Sequence, residues 1–296
     1  MAGALMEYKA LELGYTVSWE ELTDPPLLYS AVADGQVDVY PSSWAERNHV
    51  GYIEPYAEQL EDLGAYQSGA ISFLAVPEHS EMQSIEDIPE YWEEIGERIV
   101  GIEPGAGLTQ QMIDDVLPAY GFEETDMVTS STPAMLVELE NAIAAGEEVV
   151  VTLWNPYWPM SEFDVRPLDD PLGAFGEPEG LHYVATAGFS EEHPELAEWV
   201  EDFELSDDEF NALENLIVNE YEDGDEQAAV EEWLQEFPGT LQRRLWRKLS
   251  VLSPRTPPTP QIWASELFAG IKRPTREIDR QTQHGRKALT LGLLAK

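Results

Sequence analysis

Gly101-Ile102-Glu103-Pro104-Gly105-Ala106-Gly107-Leu108-Thr109 is the stretch on which the fold turns. Residues 99–102 form a short apolar run of the kind a buried strand shows, and residues 109–120 read as a helix with Met112, Val116 and Tyr120 on one face. Strand, glycine-bearing turn and helix are the unit from which α/β proteins are built. The alternation continues on both sides. Helices are predicted at 5–13, stopped by Gly14, and at 25–32, with strands at 15–19 and 37–40. Residues 71–76, bounded by Pro77, suit a strand crossing from one lobe to another, and 90–97 a helix. A helix at 133–145 precedes the β-branched run 149–153, the clearest strand. After a loop with many prolines come a strand at 183–187 and helices at 194–203, 207–221 and 227–237. The pattern predicts mostly parallel sheets.

The chain of 296 residues is 43% hydrophobic, enough for a proper core, so whole-chain disorder is excluded as a reading. Its formal charge is -42. Self-repulsion on that scale works against a compact state in dilute buffer, whereas at 1 M salt the Debye length is about 3 Å and most of it is screened. The composition therefore fits molar salt. An acidic module that binds cations or basic partners is the alternative, although no calcium-loop spacing occurs. With no cysteine there is no disulfide, thiolate nucleophile or cysteine-ligated zinc.

Little in the sequence supports catalysis. His49, His79, His182, His193 and His284 are scattered without ligand spacing, and there is no GxSxG elbow, Walker loop or three-glycine dinucleotide fingerprint. The chain is expected not to be an enzyme and to carry no cofactor. Aromatic residues just beyond strands are more informative: Trp44 follows Asp38-Val39-Tyr40-Pro41-Ser42-Ser43, and Trp154 opens Trp154-Asn155-Pro156-Tyr157-Trp158. Ligands of open α/β sheets sit outside the carboxyl ends of strands. There the faces of Trp44, Trp154 and Tyr157 or Trp158 would attract a quaternary ammonium, which has no N–H to donate, at about 0.5–2 kcal/mol per contact. Core or hinge packing is the other reading of the same tryptophans. Gly105, Ala106 and Gly107 let the backbone approach closely, and the helix-start amides suit a carboxylate, although a lone GxG is often just a tight turn. A zwitterion with a methylated ammonium at one end and a carboxylate at the other needs both devices.

In these residues the chain resembles the glycine betaine type of substrate-binding proteins of ABC importers. The similar stretches are 35–52, 84–88, 101–109, 130–145, 149–158, 168–182 and 192–195, in family order over 14–237. The resemblance implies a two-lobed, type II periplasmic-binding-protein-like α/β fold whose hinge is two crossing strands. It implies closure over a glycine betaine-like small molecule, docking on a membrane ABC permease, and a location on the extracellular face of the membrane; no nucleic acid is expected. Trp44 and Trp154 match cage tryptophans, and Gly105, Ala106 and Gly107 the carboxylate-facing turn. Tyr157 stands where the family usually has histidine. His182 matches a family histidine, read as packing.

The expected domains are lobe 1 at 1–75 and 181–240, and lobe 2 at 76–180. Residues 241–296 read as a basic, proline-containing tail outside the fold. Only Lys9, Arg47, Arg98 and Arg166 of the 16 basic residues lie before Thr240, and only Glu266, Glu277 and Asp279 of the 58 acidic ones lie after it. No export signal is visible. The family's first strand, and a turn giving the cage another aromatic, are expected to be missing ahead of the helix at 5–13.

Overall fold

The computed structural model describes residues 1–22, 24–222, 224–242 and 287–294. The first lobe opens with α1 (Ala2–Glu12), β1 (Thr16–Leu22), α2 (Pro25–Ala33), β2 (Val39–Ser43) and α3 (Val50–Ile53). An 18-residue strand, β3 (Leu60–Pro77), then leads into the second lobe. That lobe holds β4 (Ile99–Gly101), α4 (Gly107–Gln111), α5 (Leu117–Tyr120), β5 (Met127–Thr129), α6 (Thr132–Ala145), β6 (Val151–Asn155), α7 (Pro159–Glu162) and β7 (Val165–Pro167). The chain returns through β8 (Glu179–Thr186) to α8 (Phe189–Glu192), α9 (Pro194–Glu201), α10 (Asp207–Asn215) and α11 (Glu226–Glu236), and β9 (Ala288–Leu294) completes the sheet.

Strand order is β1-β9-β2-β8-β3-β6-β4-β5, with β7 also on β3. The sheet is mixed rather than mostly parallel. Within each lobe β1, β9 and β2, and likewise β6, β4 and β5, run parallel, but every pairing made by β3 or β8 is antiparallel. The reason is topological: a strand that crosses between lobes meets the returning chain head-on, while strands separated by helices inside a lobe share one direction.

Buried side chains divide at β3. Leu74, Val76, Ile99, Met112, Leu139 and Val151 belong to one core. Leu5, Met6, Tyr183, Leu196, Trp233 and Leu291 belong to another, and Leu28, Tyr29, Val32 and Val37 form a smaller one beside it. Local chemistry fixes the helices that reach the cleft. Asp24 caps α2 by accepting from Leu27 N–H at 3.0 Å, with Pro25 at the first helical position, and Ser206 and Glu209 form a reciprocal capping box at the start of α10.

The reading of 241–296 as a tail outside the fold fails for its last described part. Residues 288–294 form β9, paired in register from Thr16↔Ala288 to Leu22↔Leu294 and joined to β2 at Val39↔Leu291. Leu289 and Leu291 are buried in the α1-side core. On the opposite face a Cβ at Gly292 would lie 2.4 Å from Leu28 Cδ1, so α2 can sit on the strand only because the residue is glycine. Burial on both faces is what an interior strand of an α/β sheet requires. A parallel strand thus stands beside β1, with α1 packed over the pair. Residues 243–286 of that tail lie outside the described residues.

Candidate ligand-binding cleft

Trp44 follows β2 on a loop held by one carboxylate. Glu179, at the start of β8, accepts from the N–H groups of Glu46 (3.1 Å), Arg47 (2.9 Å) and Asn48 (3.2 Å) and from Asn48 Nδ2 (2.9 Å). Burial raises the Glu179 pKa and these donors oppose the rise. His49 closes the loop: its Nδ1 accepts from Trp44 N–H at 3.3 Å and from the Tyr29 hydroxyl at 2.9 Å. Burial pushes this imidazole down to about 3, so it is neutral. His182 bridges Asp62 (Nδ1, 2.8 Å) and Glu46 (Nε2, 3.1 Å). Burial works against its charge, but the hydrogen bonds and charges of Asp62 and Glu46 prevail and raise its pKa. It holds the loop bearing Trp44 through these two bonds, where the family resemblance gave it a packing role ahead of a binding one.

From the second lobe, the turn between β4 and α4 meets this loop. A Cβ on Gly107 would stand 2.9 Å from Asn48 O and 3.1 Å from His49 Cδ2, so the close approach needs glycine. A Cβ on Gly105 would lie 3.6 Å from Asp24 Cβ. Ala106 occupies the N-cap and gives no side-chain cap. The helix runs on through a π turn (Met112–Val116) into α5, and two buried oxygens near its start, Thr109 Oγ1 and Asn48 Oδ1, have no hydrogen-bond partner among the described residues.

The third element is the loop after β6. Trp154 and Tyr157 stack with centroids 4.1 Å apart and planes 14° apart, and Trp158 meets Tyr157 edge-on at 6.1 Å. One face of Trp154 is thereby covered by Tyr157, which is 9% exposed. Burial, then the charges of Glu214 and Glu103, raise the pKa of the Tyr157 hydroxyl, so two carboxylates lie within electrostatic reach of this aromatic wall. Glu103 is itself held by Thr132 N–H and Oγ1 at 2.7 and 2.8 Å. Glu214 Oε2 accepts from Trp158 N–H at 2.8 Å, and burial pushes this carboxyl up to about 7.

Trp154 is therefore joined to Tyr157, and Gly107 to the loop bearing Trp44. Trp44 packs on the first lobe's core and Trp154 on the second's. Sequence reasoning missed Asn48, His49, Glu179 and Glu214. Among 58 acidic residues nothing local marks the ones that turn inward; the proximity of Glu46, Arg47 and Asn48 to Glu179 is a tertiary fact.

Two α/β lobes on a shared strand, with a glycine-bearing helix start and stacked aromatics at their junction, define the solute-binding class of fold. Residues 2–236 match the model of the substrate-binding domain of the ABC-type glycine betaine transport system, and the chain belongs to that family. It is 32% identical over 154 residues to the glycine betaine/carnitine transport binding protein GbuC of Listeria monocytogenes; the match covers 49% of this chain, and the chain spans about half the length of that relative (48%). Among solved structures, lactococcal OpuAC, closed on glycine betaine, superposes with a TM-score of 0.71 at 27% identity, covering 80% of this chain and 91% of that one. The glycine/betaine/L-proline-binding protein ProX of Borrelia burgdorferi gives 0.71 at 26% identity, covering 82% and 92%.

Proposed function

We propose that this chain captures glycine betaine or a closely related quaternary-ammonium osmolyte for an ABC importer, and does so without catalysis. The stacked Trp154–Tyr157 pair carries the reading. An aromatic face suits a cation that cannot donate hydrogen bonds. Trp44 forms the facing wall in this reading, and the amides at Gly105, Ala106 and Gly107 receive the carboxylate. The similarity to OpuAC and GbuC supports a ligand of the glycine betaine class. The lobe limits are 1–75 with 181–240, and 76–180, with 288–294 added to the first.

The remaining parts of the reading follow from the family. The partner is a membrane permease, the working place is the extracytoplasmic face, and the role is osmoprotection. The net charge of -42 supports a molar-salt habitat. Among the described residues no helix is long and apolar enough to cross a membrane. Calorimetry with glycine betaine in molar salt tests the cage: Trp44→Ala is expected to weaken binding roughly 10- to 30-fold, and equal affinity for both proteins would remove Trp44 from the site.

A further inference from the structure

The aromatic loop belongs to the second lobe, yet its hydrogen-bond acceptors come from the first. Asp207 opens α10, where the Ser206–Glu209 capping box fixes the first turn. Its Oδ2 accepts from Asn155 Nδ2 at 2.9 Å and its Oδ1 from Gln67 Nε2 at 2.7 Å. One carboxylate thus bridges the end of β6 to β3. Seven residues on, close to two helical turns and so on the same side of α10, Glu214 takes the Trp158 N–H at 2.8 Å. The two bonds bracket Tyr157, held at Asn155 before it and at Trp158 after it, with its ring stacked on Trp154. Gln67 is 1% exposed and its Oε1 has no partner among the described residues, so the bond to Asp207 orients this buried amide.

We infer that Asp207 and Glu214 are positioning residues that tie the aromatic loop of one lobe to α10 of the other, and so set how long the closed cleft holds its ligand. Neither needs to touch the ligand. β3 runs through both lobes, so any rotation about it moves the 154–158 loop relative to α10 and must break both ties together. Each tie uses a carboxyl oxygen of α10 as its acceptor. The assignment of a role in ligand retention rests on the proposed binding function; the tie between lobes does not.

A test with two arms separates them. The chain has no cysteine, so Leu11→Cys on α1 and Val137→Cys on α6, both exposed, give one spin label per lobe. Pulsed dipolar spectroscopy on the unliganded full chain is expected to show Asp207→Ala shifting the distribution to longer distances, while Asp208→Ala on the same turn leaves it in place. Glu214→Ala is expected to do the same as Asp207→Ala, and Glu214→Gln, which keeps an acceptor oxygen, to restore the short distance. In the second arm, stopped-flow release of glycine betaine is expected to be about fivefold or more faster in Asp207→Ala, the loss of roughly one hydrogen bond to a charged group. Unchanged distances, or equal shifts in Asp207→Ala and Asp208→Ala, would overturn the tie. Unchanged release with shifted distances would overturn the retention role. If the parent chain takes up no glycine betaine, the proposed function falls and the distances alone decide the tie.

Discussion

Tyr157 shows how one ring serves another. Its face lies against Trp154 at 4.1 Å, so the indole is held in one orientation. The contact depends on the ring and not on the hydroxyl. Tyr157→Phe is therefore expected to leave the glycine betaine Kd within about twofold, and Tyr157→Ala to weaken it about tenfold, the usual worth of an aromatic pair; calorimetry in molar salt distinguishes the two. The two buried histidines that hold the Trp44 loop, His49 within it and His182 on β8, respond to pH in opposite senses. His182 has a raised pKa in the fold, so its contribution is complete below the unfolded value of about 6.5 and is lost as pH rises through the folded value. His49 has a lowered one, about 3, so below about 6.5 the unfolded chain binds a proton the native state refuses, and stability falls with pH. Denaturant unfolding from pH 5 to 9 is expected to show the alkaline loss flattened in His182→Gln and the acid loss flattened in His49→Asn.

At the scale of elements, what could be read in the sequence was what local pattern controls. The helices over 25–32 and 133–145 and the strands near 99 and 151 appear within a residue or two, because apolar periodicity and prolines at helix starts declare them. β3 was legible only from residue 71. Its first half carries Glu61, Asp62, Gly64, Gln67 and Gly69, which read as loop, and the register shifts between Asp62 and Ala70 disturb the period of two that marks a strand. β9 escaped for a different reason. Leu289, Leu291 and Leu293 do alternate, but they follow a basic, proline-containing segment whose composition differs from the body, and only the vacant place between β1 and β2 gives them meaning. In the cleft, the tryptophans and glycines were legible as residue types at strand ends, while the carboxylates that hold their loops were not. Two substitutions test these elements. Gly107→Ala is expected to push the α4 turn off Asn48 and weaken glycine betaine binding about tenfold or more, since closure is opposed by overpacking of about 1–3 kcal/mol. Leu291→Asp, at a side chain with no exposure, is expected to cost about 3 kcal/mol or more, measured by denaturant unfolding.

For the whole molecule the governing quantity is the charge of -42. Raising salt from 0.1 to 1 M shortens the Debye length from about 10 to about 3 Å, so the repulsion between surface carboxylates fades while the buried cores are untouched. The thermal midpoint is expected to rise by roughly 5–10 °C over that range, the size that a few kcal/mol produces in a protein of this length; a scan in potassium chloride at fixed pH measures it. A midpoint that falls would contradict the molar-salt reading. β9 also bears on how the molecule is made. An interior strand that comes more than 240 residues after its neighbour β2 cannot take its place until nearly everything else has been synthesised. During that interval β1 and β2 lie beside an unfilled slot with open edges, the condition in which chains pair wrongly with one another. The first lobe is thus the late-maturing one on the ribosome, and the second, whose strands all lie within 60–167, is free to fold ahead of it.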